Sequence, residues 1–310
     1  MTPAFPPALA ASIAQMLEGV SRKDLAQRAG KLSAAYRAGQ SSVAVASRDD
    51  ALAYLLARAP ATFAAAAAAF ARVKQVASEF APKSLLDIGA GPGTAAHAAM
   101  AAWPSLTAVT MLEPNGFFRA MAQEIMPAAH IVADDLGTDK TGADLVVAAY
   151  VLAEQPERIV GAIACDLWKV TGKTLVLIEP GTPQGFARIR AARAALIAAG
   201  AHIAAPCSHD NDCPMSGDDW CHFSQRLPRS RDHMTLKDAS VPFEDERYAY
   251  VVAMPEKMSF GARVIKPPVE TKPGITLPLC DESGLRNEFI ARREKDAWRA
   301  VRKLEWGDRL

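Results

Sequence analysis

Residues 84–104 read SLLDIGAGPGTAAHAAMAAWP. A short apolar run, Ser84 to Ile88, is followed by Gly89, Gly91 and Gly93 in G-x-G-x-G spacing and then by an alanine-rich helical segment. A strand ending in such a turn lets backbone approach a ligand with no Cβ in the way. The helix that follows presents free N–H groups at the same place. Asp87 stands two residues ahead of the turn, and Glu113 follows Gly93 by twenty residues, at the end of the next apolar run. A carboxylate there can accept both hydroxyls of a ribose. The nicotinamide fingerprint G-x-G-x-x-G fails, because Thr94 occupies the place of its third glycine.

Outward from this turn, further strands are predicted at 107–114, 129–136, 143–152 and 173–180, with helices at 116–125, 155–170 and 183–199. Strands alternating with helices predict an α/β fold with a mostly parallel sheet covered on both faces. Upstream, residues 8 to about 80 carry apolar residues at helical spacing. Ser47 with Asp49 and Asp50 marks a capped start, and Pro60 is expected to split that helix in two. After Gly200 regularity stops for roughly forty residues, then resumes at 248–256, 262–270 and 274–280 as late antiparallel strands. The organisation expected is an N-terminal helical region (1–80) and a sheet core (81–200, completed by 245–270). A cysteine-rich insertion (201–244, completed by Cys280) and a basic C-terminal helix (285–310) follow. No internal repeat is present.

The chain has 310 residues, half of them hydrophobic, 22% charged, with a net charge of +1. That balance suits a sizeable core and leaves any nucleic-acid signal to local clusters of charge. No basic segment precedes an apolar run at the N-terminus, so no secretory signal is expected, and no uninterrupted apolar stretch approaches a membrane span. Five cysteines without such a signal point to the reducing cytoplasm, where clustered thiols more often bind metal than pair. A cytoplasmic protein, monomeric and with no membrane partner, is expected.

The acid, the glycine turn and Glu113 resemble the motif of class I S-adenosylmethionine-dependent methyltransferases, over roughly residues 80–200 plus 245–270. The resemblance implies that Gly89, Gly91 and Gly93 pass along the methionine part of S-adenosylmethionine and that Glu113 holds the ribose. Asp134 or Asp135, at the end of the third strand, would sit near the adenine. After the fourth strand the chain reads AAYVLAEQP (148–156) in place of the N-P-P-Y type motif of many amino-methylating enzymes. Tyr150 and Glu154 lie there without forming a recognised catalytic set, so the catalytic residues stay unassigned. Pro206-Cys207-Ser208 is similar to the thiolate motif of cytosine-C5 methyltransferases, but it falls beyond the fifth strand, and that reading is rejected.

Cys207, Cys213 and Cys221 are spaced C-x5-C-x7-C in a polar, turn-rich stretch. Thiolates suit zinc or an iron–sulfur cluster. Neither spacing is a zinc knuckle, and wide irregular spacings fit a larger cluster better. Cys280 is the natural fourth ligand, His209 and His222 are alternatives to one thiol, and Cys165 reads as a core thiol on a helix. The stretches 205–237, FEDERYAYV (243–251) and VRKLEWGD (301–308) resemble the ribosomal small-subunit methyltransferase-like family, which includes a mitochondrial assembly factor of the small subunit. LSAAYRAG (32–39) and residues 49–65 carry the resemblance almost through the whole chain. It implies a 4Fe–4S cluster on Cys207, Cys213, Cys221 and Cys280, with zinc as the alternative, and a C-terminal four-cysteine lobe.

The family acts on small-subunit ribosomal RNA, in the 30S particle or its precursor, which calls for a cationic surface. Arg226, Arg229, Arg231 and Lys237 follow the cysteines. If 291–305 is helical, Arg292, Lys295, Arg299, Arg302 and Lys303 share one side, able to track phosphates. A solvated helix face docked through Trp298 explains the second set equally well. Two functions follow: a methyltransferase of small-subunit rRNA, or a non-catalytic assembly factor that uses the same fold as an RNA-binding scaffold.

Overall fold

The computed structural model describes residues 5–37, 44–134, 142–258 and 260–310. Three helices come first: α1 (Pro7–Met16), α2 (Arg22–Arg37) and α3 (Arg48–Val76). The Ser47 hydroxyl accepts from the Asp50 N–H and starts α3, with Asp49 and Asp50 in its first turn and Lys74 in its last, matching the helix dipole. Pro60 does not split this helix, contrary to expectation. A mid-helix proline costs about 3 kcal/mol. Leu52, Leu55, Leu56, Phe63, Phe70 and Val73 are all buried along the same helix, each contributing roughly 1.5–3 kcal/mol, so burial wins. By length and composition α3 could cross a bilayer, but 72% of its most apolar window is buried inside the protein.

The sheet core follows: β1 (Ser84–Ile88), α4 (Thr94–Ala102), β2 (Ala108–Leu112), α5 (Gly116–Ile125), β3 (His130–Val132), β4 (Ala143–Ala149), α6 (Val160–Lys169), β5 (Thr171–Pro180) and α7 (Pro183–Ala198). Then come β6 (His202–Ala205), β7 (Phe223–Pro228), α8 (Arg231–Leu236) and β8 (Phe243–Met254). The sheet order is β3-β2-β1-β4-β5-β8-β6, with β7 also on β8. β1 to β5 are parallel, and β8 runs antiparallel to β5. This is an α/β Rossmann-like fold, a mostly parallel sheet with an antiparallel edge, preceded by helices.

Alternate strand residues serve two cores, as a period of two requires. Leu85, Leu145, Val147, Val176 and Ile178 pack with Phe63, Phe70 and Trp103 on one face. Leu86, Val146, Ala148, Leu175 and Leu177 pack with Val160, Leu167, Ile189 and Leu196 on the other.

The C-terminal third departs from expectation. The irregular stretch is only 206–222, because β6 and β7 continue one edge of β8 end to end and the cysteine segment loops out between them. Of the stretch 245–270 only β8 joins the core sheet, where it also carries β6 and β7. β9 (Arg263–Val264), β10 (Val269–Glu270), β11 (Gly274–Asp281) and β12 (Gly284–Ala291) form a second, antiparallel sheet. The expected basic helix is thus a strand to Ala291 and then α9 (Lys295–Val301). Val264, Ile275, Leu277, Leu279 and Ile290 give this sheet its own core, closed by Val301. Apolar residues alternate in 274–281, and β12 is held as a strand by its full antiparallel pairing with that segment, Ile290 being its one buried residue.

Candidate functional site

The glycine turn is built by backbone. Gly89, Gly91 and Gly93 all have positive φ (59°, 55° and 82°), and Gly93 is the N-cap of α4. A Cβ on Gly89 would lie 2.6 Å from a Val151 methyl, whereas one on Gly91 would meet nothing within 4 Å. The Gly91 N–H donates to Glu113 Oε2 at 2.8 Å, and the Asn115 N–H donates to Oε1 at 2.7 Å. Burial raises the Glu113 carboxyl, against the lowering effect of these two N–H groups and Arg119. Asp87 turns the other way: its carboxylate accepts from the Ala96 N–H at 3.0 Å and ties β1 to α4. Full burial pushes it up to about 7.

Gly89, Gly91 and Glu113 line one pocket with Tyr36, Tyr54, Phe118, Tyr150 and Glu154. Asp87, Gly93 and Asp134 are not among its lining residues, and Asp135 lies outside the described residues. The sequence contained no signal for Tyr36 and Tyr54, which arrive from the N-terminal helices.

Where the fourth-strand motif was missing, the structure has Tyr150 at φ 65°, a conformation uncommon for a bulky residue and a mark of functional sites. Its N–H donates to the Ile178 carbonyl at 2.7 Å, and its hydroxyl donates to Glu246 Oε1 at 2.8 Å. Arg58 donates to the same oxygen at 3.2 Å and lies over the Tyr150 ring. Behind the turn, fully buried Glu179 accepts from the Leu152 N–H at 2.8 Å, and burial pushes its carboxyl up to about 8. Beyond Tyr150 the pocket opens into a cleft of about 810 Å³ between α2, α3, the start of α7, and the β7–α8 segment.

A second cavity lies on the far side of β5. Cys207, Cys213, Cys221 and Cys280 all line it, with Arg193, Arg263, Met215 and Ile265. Two buried arginines, which the sequence reading missed, shape it. Arg193 donates to the His209 and Asn211 carbonyls, both at 2.8 Å. Arg263 donates to the Pro206 carbonyl at 2.8 Å and the Gly307 carbonyl at 2.9 Å. Burial and the neighbouring thiols raise the Cys207 and Cys221 thiols, and Cys280 rises to about 12.

Among the described residues no three His, Cys, Asp or Glu side chains could hold a metal ion as they stand. The expected metal lobe is therefore corrected to four thiols that line one cavity beside Arg193 and Arg263. His209 Nε2 is 3.8 Å from Cys280 Sγ, while His222 is packed between Trp220 and Trp306. Cys165 sits apart, against the Ala195 carbonyl, as a thiol between α6 and α7.

The basic residues are largely neutralised. Arg226 makes two 2.8 Å bonds to Asp245, and Arg229 and Lys237 share Glu244. Arg292 pairs with Glu270 and covers Trp298, and Arg299 pairs with Asp296. Arg231, Lys295, Arg302 and Lys303 are exposed and make no ion pair among the described residues. Arg229 and Lys237 line the large cleft instead of an outer stripe.

The family model described as mitochondrial small ribosomal subunit Rsm22 matches residues 48–310. The chain is 27% identical, over 83% of its length, to Rsm22-cox11 tandem proteins 1 and 2, mitochondrial, of Schizosaccharomyces pombe. It is 26% identical over 84% of its length to the ribosome assembly protein METTL17, mitochondrial, of Homo sapiens. It spans 42% of the fission yeast proteins and 62% of the human one. Among solved structures, the magnesium protoporphyrin IX methyltransferase of Synechocystis PCC 6803 with bound SAM matches with a TM-score of 0.42 at 15% identity, over 82% of this chain and all of that one. The three curated relatives are all mitochondrial by name, which overturns the cytoplasmic location expected from the sparse cysteines.

Proposed function

The chain belongs to the mitochondrial small ribosomal subunit Rsm22 family, and from that membership we propose that it binds S-adenosylmethionine and acts on small-subunit ribosomal RNA as a methyltransferase-like protein. The observation that carries the reading is the glycine turn whose Gly91 N–H is bonded to buried Glu113, in a pocket open to a larger cleft. Gly89 and Gly91 would face the methionine part, Glu113 the ribose, and Asp134 the adenine end. Gly93 and Asp87 would hold the turn and α4 in place. The cofactor would supply an electrophilic methyl group; the chain's part is to exclude water and align an acceptor.

From the four thiols that line one cavity we also propose a structural 4Fe–4S cluster on Cys207, Cys213, Cys221 and Cys280, whose side chains would have to turn toward one another to hold it. It would tie the 206–222 segment to β11. A second reading, a non-catalytic assembly scaffold, is favoured by the segment after β4. There the Tyr150 hydroxyl is committed to Glu246 and Arg58, and no general base faces the pocket in a recognised set.

The test incubates anaerobically purified protein with small ribosomal subunits and S-adenosylmethionine bearing a tritiated methyl group. Label on one rRNA nucleotide establishes the enzyme. Bound S-adenosylmethionine with no transfer leaves the scaffold, and no binding of either ligand sinks both readings.

A further inference from the structure

The cleft beyond Tyr150 is larger than the pocket beside the glycine turn, and its walls are chemically divided. Tyr36, Tyr54, Tyr150 and Glu154 line both spaces. Burial holds the three phenols protonated; the Tyr150 hydroxyl is already given to Glu246 and Arg58 lies over its ring, so what this wall offers is uncharged aromatic surface. The opposite wall is cationic, with Arg188, Arg229 and Lys237. Arg229 and Lys237 answer to Glu244, and Arg58 answers to Glu246. Arg188 makes no ion pair among the described residues; the carboxyl it acts on is that of buried Glu179, which it lowers against burial, and its own Nε is shut off from water without a hydrogen bond. That Nε is closed to a ligand as well as to water, so what Arg188 offers an anion in the cleft is the charge of the rest of its guanidinium. It projects from α7, a sixteen-residue helix whose N-terminal residues, Thr182 and Gln184, line the same cleft.

A ligand that satisfies both walls carries a planar ring at one end and an anion at the other. We infer that the cleft receives one unpaired, unstacked nucleotide of the RNA, its base among Tyr36, Tyr54 and Tyr150 and its phosphate at Arg188. A paired base inside a duplex cannot enter a recess of this kind without being swung out of the stack. Tyr150 stands at the junction of the two spaces, so its left-handed backbone places the ring where the base would meet the cofactor pocket. The inference rests on the reading of the protein as one that binds ribosomal RNA.

The experiment titrates full-length protein into a single-stranded RNA oligonucleotide carrying one 2-aminopurine, into the same RNA annealed as a duplex, and into 2-aminopurine ribonucleoside monophosphate. Anisotropy of a terminal dye reports RNA binding, and 2-aminopurine emission reports stacking. Arg188→Ala is expected to weaken single-strand binding by about tenfold or more. Tyr150→Asn, which tolerates the left-handed backbone but removes the ring, is expected to abolish the emission change, whereas Tyr150→Phe keeps it. Circular dichroism melts confirm that each variant is folded. The duplex is expected to bind without an emission change. A monophosphate that binds as tightly as the oligonucleotide would overturn the RNA assignment in favour of a free nucleotide. Normal RNA affinity in Arg188→Ala with unaltered emission in wild type overturns the cleft proposal alone. No anisotropy change for wild type with any RNA overturns the RNA reading beneath it.

Discussion

The two cavities of this protein are built in opposite ways. The glycine-turn pocket draws its key groups from one short stretch, Asp87 to Asn115, and holds them with backbone hydrogen bonds and positive-φ glycines. The cysteine cavity draws its groups from residues 193 to 280 and holds them with the side chains of two buried arginines. The first is held in place by its own backbone contacts. The second brings four thiols to the lining of one cavity without setting any three of them, among the described residues, where they could hold a metal ion. Each region should therefore fail separately.

The largest effect is expected at the thiols. Changing any one of Cys207, Cys213, Cys221 or Cys280 to serine should remove bound iron and sulfide almost completely, from about four of each per chain. Cys165→Ser should keep both. Elemental analysis with acid-labile sulfide decides this, and zinc without sulfide would make the region a simple clip. S-adenosylmethionine binding should survive the cysteine changes.

Next is Gly89→Ala. The new methyl would overlap Val151 and sit on a φ of 59°, which costs an L-residue roughly 1–2 kcal/mol before the clash is counted. Cofactor binding should fall about a hundredfold or more, with metal content unchanged; calorimetry beside metal analysis would separate the two. Unchanged affinity would mean the turn does not face the ligand.

Arg193→Ala should cost about 3 kcal/mol in urea unfolding, because the His209 and Asn211 carbonyls lose a charged, buried donor. Hydrogen exchange should quicken in 206–222 and stay unchanged at the glycine turn. Equal quickening in both would deny their separation.

The smallest effect concerns Asp87. Its folded carboxyl titrates near about 7 against an ordinary 3.8. Between those values the folded protein keeps a proton that the unfolded chain has lost, so this group's contribution to stability declines as pH rises through that window. Asp87→Asn should flatten that decline by about 1–2 kcal/mol in melts between pH 5 and 8. A slope equal to that of wild type would contradict the assignment.

The same contrast explains what the sequence made legible. The strand–glycine–helix unit and the acid after the next strand are contiguous, so their pattern located β1, α4, β2 and Glu113 directly. Tyr36 and Tyr54 come to the pocket, Arg58 to the cleft and Glu246 to the Tyr150 hydroxyl from distant elements, and no local spacing marks them. Pro60 and the 284–291 strand went the other way: local propensity spoke for a break and a helix, and burial along α3 overrode the first while the full antiparallel ladder to β11 overrode the second. The cysteines were legible as a group, but the arginines that shape their cavity lie on α7 and β9, outside the cluster. The basic residues were legible as charges only; their acid partners Glu244, Asp245 and Glu270 lie across strands.

The most direct test of the account is calorimetric titration of S-adenosylmethionine into the purified protein, beside Glu113→Gln and Gly89→Ala. The account predicts one saturable site per chain for wild type, weakened in Glu113→Gln and lost in Gly89→Ala. No heat of binding for wild type at millimolar ligand, or equal binding by all three proteins, would contradict it.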